Sequence, residues 1–265
     1  MTKLEFDKYF LKKHLGQHFL IDQCVVNKII SSMNPKKRDI MIEIGPGLGA
    51  LTYDTSKFPC KLFLIEYDKH LAHKLFLLYK NVSNIQVFSK NALKFNFSCI
   101  NRKRYESIRI FGNLPYNISI ELLLYFFKYN NIICDMYFML QKEVANRLLA
   151  VPGTKDYGKL SIISQYFCKI IRLFDIFPES FKPIPKVNST FLKFVPCKNN
   201  KDIVTNVKNL QKITTLAFSQ RRKIIKNSLS SLFNEDILIS LHIDPKLRAE
   251  DLSVGQYFML SNYIS

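Results

Sequence analysis

Residues 40–50 read Ile40-Met-Ile-Glu-Ile-Gly45-Pro-Gly47-Leu-Gly49-Ala50, a short apolar run that breaks into three glycines at alternate positions. The run suits a strand covered on both faces, and the glycines let a backbone turn sharply and approach a ligand at the start of a helix. Their spacing is G-x-G-x-G and not the G-x-G-x-x-G of dinucleotide-binding proteins, so a diphosphate ligand is not specifically indicated. Downstream, apolar runs recur at residues 62–65, 85–88, 108–111 and 136–140, separated by stretches long enough for a helix. Strand-length runs alternating with helix-length ones predict βαβ units and a parallel sheet.

Upstream of the glycines, Asp22 is placed to cap a helix running to about Asn34, where Pro35 and Lys36-Lys37-Arg38 mark a loop. Two more strand-like runs, 170–177 and 190–195, have no helix between them and are joined by Phe181-Lys-Pro-Ile-Pro-Lys-Val187. They predict an antiparallel hairpin at the sheet edge. After Pro196 comes the polar stretch Lys198-Asn-Asn-Lys-Asp202, and everything beyond reads as helix, with Ile224, Ile225, Ser228, Leu229, Leu232 and Phe233 at helical spacing and Arg222, Lys223 and Lys226 on other faces. The expected architecture is α/β: a doubly wound, Rossmann-like seven-stranded sheet over residues 1–198, then a small all-helical domain over 199–265.

At 265 residues with 48% hydrophobic side chains, the chain can bury its own core. Its 39 Lys and Arg against 21 Asp and Glu leave a net charge of +18, which points to a polyanion such as a phosphate backbone. The plainer reading is compositional, since Lys, Asn, Ile and Phe are all abundant, as AT-rich coding DNA would make them. Cys24, Cys60, Cys99, Cys134, Cys168 and Cys197 stand far apart with no C-x-x-C and read as reduced core thiols. Charge interrupts the first twenty residues every few positions and no later stretch is long enough to span a bilayer, so a soluble cytoplasmic protein is expected. His14-x-x-x-His18 and His70-x-x-His73 lack the Glu of H-E-x-x-H and any further ligand cluster, so no metal site is expected.

The candidate chemistry sits after successive strands. Glu66 ends the second run about twenty residues past the glycines, where such folds place an acid to accept from ribose hydroxyls. Asn91-Ala-Leu follows the third run, where the adenine ring of a nucleoside would lie. After the fourth comes Gly112-Asn113-Leu114-Pro115-Tyr116. An adenine amino nitrogen is a poor nucleophile because its lone pair is delocalised into the ring. The Asn113 side-chain oxygen and the Leu114 carbonyl can each accept one amino hydrogen and aim that lone pair at a methyl sulfonium, Pro115 would stiffen the turn, and Tyr116 offers a stacking face. Phe181 would close on the base from the other side. Bases inside a helix are unreachable, so the target is single-stranded or flipped out. With 22 Phe and 13 Tyr, any one aromatic is more ordinarily a core residue, and only its neighbours argue for Tyr116 or Phe181. Lys12-Lys13-His14, Arg102-Lys103-Arg104 and Arg221-Arg222-Lys223 read as solvated surface or, from their number and their alternation with aromatics, as an RNA-facing one.

On these residues the chain resembles the ribosomal RNA adenine dimethyltransferase family. The matching stretches are Leu15-Gly-Gln-His-Phe-Leu20, Glu43-Ile-Gly-Pro-Gly-Leu-Gly49, Glu66, Gly112-Asn-Leu-Pro-Tyr116, Phe138-Met-Leu-Gln-Lys-Glu143, Phe181-Lys-Pro-Ile-Pro-Lys-Val187 and Gln220-Arg-Arg-Lys223, in family order. The resemblance implies S-adenosylmethionine as cofactor, with His18, Leu20, Gly45, Glu66, Asn91 and Asn113 around it and Gly47 in the same glycine loop. It implies Asn113, Leu114, Pro115, Tyr116 and Phe181 at the reacting base. The implied reaction places two methyls on each of two adjacent adenosines in a hairpin loop near the 3′ end of small-subunit ribosomal RNA, late in assembly of the small ribosomal subunit, by a monomer without metal or membrane. Where His18 and Asn91 stand the family generally has Asn and Asp, and an amide accepts more weakly than a carboxylate. Two rivals remain: a methyltransferase of large-subunit RNA, and a non-catalytic RNA-binding assembly factor on the same fold.

Overall fold

The computed structural model describes residues 18–104, 106–197 and 203–264. The basic arm with Lys12, Lys13 and His14, and the polar stretch 198–202, lie outside them. A two-residue strand β1 (Phe19–Leu20) leads into helix α1 (Gln23–Met33), whose N-terminus Asp22 caps as expected by accepting from Cys24 N and Val25 N. Then come β2 (Asp39–Ile44), α2 (Ala50–Thr55), β3 (Lys61–Glu66), α3 (Lys69–Tyr79), β4 (Ile85–Ser89), β5 (Ser107–Asn113), α4 (Ser119–Phe127) and β6 (Ile133–Gln141). Helices α5 (Lys142–Leu149) and α6 (Lys159–Phe167) follow, then β7 (Cys168–Ile176), β8 (Phe181–Lys182) and β9 (Ser189–Pro196).

Seven strands form one sheet in the order β4-β3-β2-β5-β6-β9-β7. The β2–β3, β3–β4, β2–β5 and β5–β6 pairs are parallel, and β9 runs antiparallel to β6. The chain winds outward from β2 through β3 to β4, then returns to β5 on β2's other side. That reversal opens a crevice at the carboxyl ends of β2 and β5, where folds of this kind bind ligands. As expected, the last two runs lie at the edge, with β7 outermost. The connection between them was not fully legible, because β8 leaves the sheet and pairs antiparallel with β1, Phe19 opposite Lys182 and Leu20 opposite Phe181.

Side chains of period two separate the two faces of the sheet. On β6, Tyr137 and Met139 join one cluster with Ile29 and Met33 of α1 and Leu75 of α3. On the other face Phe138 stacks on Phe126 of α4, with ring centroids 5.4 Å apart, and Phe126 meets Phe97 at 5.5 Å. At the amino ends of the strands, buried Arg109 binds Asp39 at 2.8 Å, Asp135 at 2.7 Å and the Met33 carbonyl at 2.8 Å.

The chain divides into two compact units, and the division differs from a single boundary at residue 198. One unit runs to Lys142 and takes in Ile171–Pro196, and the other joins Glu143–Ile170 to Cys197–Ser265. Within the second, Gly153 N donates to the Glu250 carbonyl at 2.8 Å and Tyr157 Oη to the Leu252 carbonyl at 2.9 Å. Those bonds tie α5, α6 and their connecting loop to the tail, whose helices are α7 (Ile203–Ser219), α8 (Ile225–Ser228), α9 (Glu235–Ser240) and α10 (Val254–Tyr263). The periodic run 224–233 forms only the single turn of α8 followed by further turns. The expectation of six core thiols needs correction: none of the six forms a disulfide, but only Cys60 and Cys168 are buried, and Cys24, Cys99 and Cys134 are exposed.

Candidate active site

The glycine loop and the acid at the end of β3 hold each other. Gly45 N donates to the Ile65 carbonyl at 2.9 Å, while Glu66 accepts from Gly47 N at 3.0 Å and from Asp68 N at 2.8 Å. Gly47 has φ +58°, and a Cβ there would come 2.8 Å from the Phe19 ring, so both conformation and space demand glycine. Burial raises the Glu66 carboxyl above its ordinary pKa, against the pull of the Asp68 and Gly47 N–H groups. Beside this loop opens a cavity of about 280 Å³.

Its opposite wall is the end of β5. A Cβ on Gly112 would come 2.4 Å from the Ile44 carbonyl oxygen, so only glycine lets β5 lie this close to the end of β2. The next residue, Asn113, donates from Nδ2 to the His18 carbonyl at 2.7 Å. Its Oδ1 is buried and has no hydrogen-bond partner among the described residues. Leu114 and Pro115 continue the wall. The Tyr116 hydroxyl bonds Ser189 Oγ at 2.7 Å, and its ring stacks on the His18 imidazole with centroids 5.4 Å apart. His18 Nδ1 lies 2.8 Å from the Pro183 carbonyl and therefore carries the proton it donates. Asn91 Oδ1 accepts from Leu93 N at 2.9 Å, opening the 3-10 turn Ala92–Lys94.

A nucleoside-sized crevice that presents a glycine loop, a buried acid and an unpartnered amide oxygen narrows the family, and comparison with known proteins decides it. The sequence profile described as ribosomal RNA adenine dimethylase matches residues 10–265. The chain belongs to the ribosomal RNA adenine dimethylase family. Among the relatives of this dimethylase, a protein named ribosomal RNA small subunit methyltransferase A from Buchnera aphidicola subsp. Baizongia pistaciae is 57% identical over 256 residues, spanning 97% of each chain. A solved dimethyladenosine transferase from Plasmodium falciparum is 26% identical, covers 91% of this chain and 95% of that one, and superposes with a TM-score of 0.78. The 23S rRNA methyltransferase ErmE, 20% identical over 92% of this chain and 98% of its own with a TM-score of 0.69, shares the fold.

In this dimethylase His18, Leu20, Gly45, Gly47, Glu66, Asn91, Asn113, Leu114, Pro115 and Tyr116 all line the one cavity. Phe181 does not. Paired opposite Leu20, it turns into the core beside Ile176 and Phe191 and is 1% exposed, so it offers no face to a base. Sequence reasoning gave Glu43 no role, yet it lines the cavity, fully buried, with one oxygen accepting from Thr52 Oγ1 at 2.6 Å. The signal was present, since a carboxylate inside a strand covered on both faces is out of place. The fastening of Tyr116 by His18 and Ser189 had no local signal, because those residues lie 98 and 73 positions away from it or at its partner loop only in space.

Of the basic clusters, Arg221 is committed within its own unit: its guanidinium binds Glu250 at 2.6 Å and the Lys155 carbonyl at 2.8 Å. Arg222 and Lys223 beside it are exposed, as are Arg102, Lys103 and Arg104. Among the described residues no helix is long and apolar enough to cross a membrane, and no cluster of three His, Cys, Asp or Glu stands ready for a metal ion.

Proposed function

We propose that this dimethylase methylates the exocyclic amino groups of two adjacent adenosines in a hairpin loop near the 3′ end of small-subunit ribosomal RNA, two methyls on each, during small-subunit assembly. The observation that carries the reading is Asn113 Oδ1, a buried acceptor left open at a cavity wall next to an aromatic ring. A buried acceptor without a partner costs about 1–3 kcal/mol, a cost that an arriving donor removes. An adenine amine is such a donor.

The residues of the cavity suit S-adenosylmethionine. Glu66, held by two backbone N–H groups, keeps lone pairs for ribose hydroxyls, Gly45 and Gly47 allow close backbone approach, and Asn91 stands by the base. Bound there, the cofactor supplies an electrophilic methyl group. The protein's part is geometric. Asn113 Oδ1 accepts a hydrogen bond from one amino hydrogen and the Leu114 carbonyl from the other where a second is present, which would draw the nitrogen toward tetrahedral shape and release its lone pair from the ring. Tyr116, clamped at its hydroxyl by Ser189 and at its face by His18, stacks the base in that pose. Within the second unit, exposed Arg222 and Lys223 have the sign that phosphate contacts require.

The test is mass spectrometry of small and large ribosomal subunits lacking these methyl groups, after incubation with the protein and S-adenosylmethionine. Two adjacent dimethyladenosines in the small-subunit RNA are expected, and their absence there, or their appearance in large-subunit RNA instead, overturns the reading.

A further inference from the structure

The loop from Phe181 to Ser189 carries two large apolar side chains into solvent, with Ile184 at 65% and Val187 at 44% exposure. Both ends of the tip are fastened to the same aromatic ring. At Pro183, one Cα step of about 3.8 Å from Ile184, the carbonyl accepts from His18, whose imidazole lies on Tyr116. At Ser189 the side chain holds the Tyr116 hydroxyl at 2.7 Å. Between and around these points the loop is anchored further: Phe181 and Pro185 are buried, and the Asn188 carbonyl accepts from Lys142 N at 2.9 Å. An apolar tip tied on both sides to Tyr116 stands beside the ring on which the proposed function stacks the reacting base. Lys186 beside it is exposed and of the sign a phosphate requires.

We propose that Ile184, supported by Val187, is a wedge that covers the nucleobase next to the target adenine. A base that leaves its stack strips one face from its neighbour, and proteins that extrude or unstack bases commonly offer an apolar side chain to that face. The inference rests on the function proposed above. Where the targets are adjacent adenosines, the neighbour is the other target, a purine with a broad apolar face. Ile184 then holds the second adenosine outside the cavity while the first reacts.

The experiment compares wild type, Ile184→Ser and Ile184→Leu on small subunits lacking the methyl groups, whose RNA carries either both adenosines or one adenosine beside a uridine. On the two-adenosine particle Ile184→Ser is expected to lower kcat/KM at least about tenfold, the scale of one lost base contact, and Ile184→Leu to recover most of it. On the uridine particle, with its smaller base, the same substitution is expected to matter much less, while the Kd for S-adenosylmethionine and the melting temperature stay at their wild-type values. Equal activity of Ile184→Ser and wild type overturns the wedge and leaves the function standing. Equal loss on both particles overturns it too, since the tip then touches RNA backbone or a ribosomal protein. Failure of the wild type to form dimethyladenosine on the two-adenosine particle overturns the function itself, and the wedge with it.

Discussion

The Asn113 side-chain amide donates to the His18 carbonyl across 2.7 Å, and this bond settles which way the amide faces. A carbonyl only accepts, so the NH₂ must point at His18 and the oxygen at the cavity. The amide is thereby held by the segment that enters β1, and β1 is held by β8. The N-terminal strand, too short to look like structure in a sequence, is what orients the acceptor.

Asn113→Ala is expected to abolish dimethyladenosine formation, with a loss in kcat of at least about a hundredfold, as for removal of a single polar group aimed at a reacting centre. RNA binding should be largely spared, because the side chain is one contact among many. Mass spectrometry of the RNA and a parallel binding assay check this, and unchanged dimethyladenosine would remove Asn113 from its assigned role.

Asn91→Asp is expected to tighten S-adenosylmethionine binding. The Asn91 oxygen accepts from Leu93 N, and the other position of the amide is a donor. A carboxylate would keep that bond and offer a second, stronger acceptor to a nucleoside amine. Isothermal titration should show the Kd falling about tenfold, the lower end of what one charge-assisted hydrogen bond contributes, and an unchanged Kd would show that Asn91 does not meet the cofactor's amine.

The sheet was legible because short apolar runs of strand length recur at helix-length intervals; the run at 40–44 became β2 with one residue added. The cavity walls were legible because they follow directly on those strands. What stayed hidden depends on residues brought together across the fold. Phe181 looked like a base-stacking residue beside its prolines, yet pairing with Leu20 turned it inward. The second unit recruited α5 and α6 through contacts to carbonyls near Glu250 and Leu252, which no periodicity encodes.

Arg109 was invisible for the same reason. It lies in the middle of an apolar run, and its partners Asp39 and Asp135 are 70 and 26 residues away. Arg109→Met is expected to destabilise the chain by about 3–5 kcal/mol, because it removes the cation that bridges two buried carboxylates and, among the described residues, leaves Asp135 only the longer pairing to Lys193 at 3.7 Å. Urea denaturation should show the midpoint falling with little change in slope. Loss of well under 1 kcal/mol would mean that Lys193 or water takes over the carboxylates.

Glu43 carries the clearest pH signature. Burial, with Glu66 nearby adding to it and the Thr52 hydroxyl opposing, pushes its carboxyl from 4.5 up to about 8. Across that interval the carboxyl is protonated in the folded chain and ionised in the unfolded one, so unfolding releases a proton. Its contribution to stability is therefore fully present below about pH 4.5 and is lost as pH rises toward 8, with a slope approaching about 1.4 kcal/mol per pH unit. Glu43→Gln keeps the shape and the bond from Thr52 but cannot ionise. Denaturation midpoints measured from pH 5 to pH 8 should fall more steeply for the wild type than for Glu43→Gln. Parallel curves would mean that Glu43 is ionised in the folded protein, against the effect of its burial.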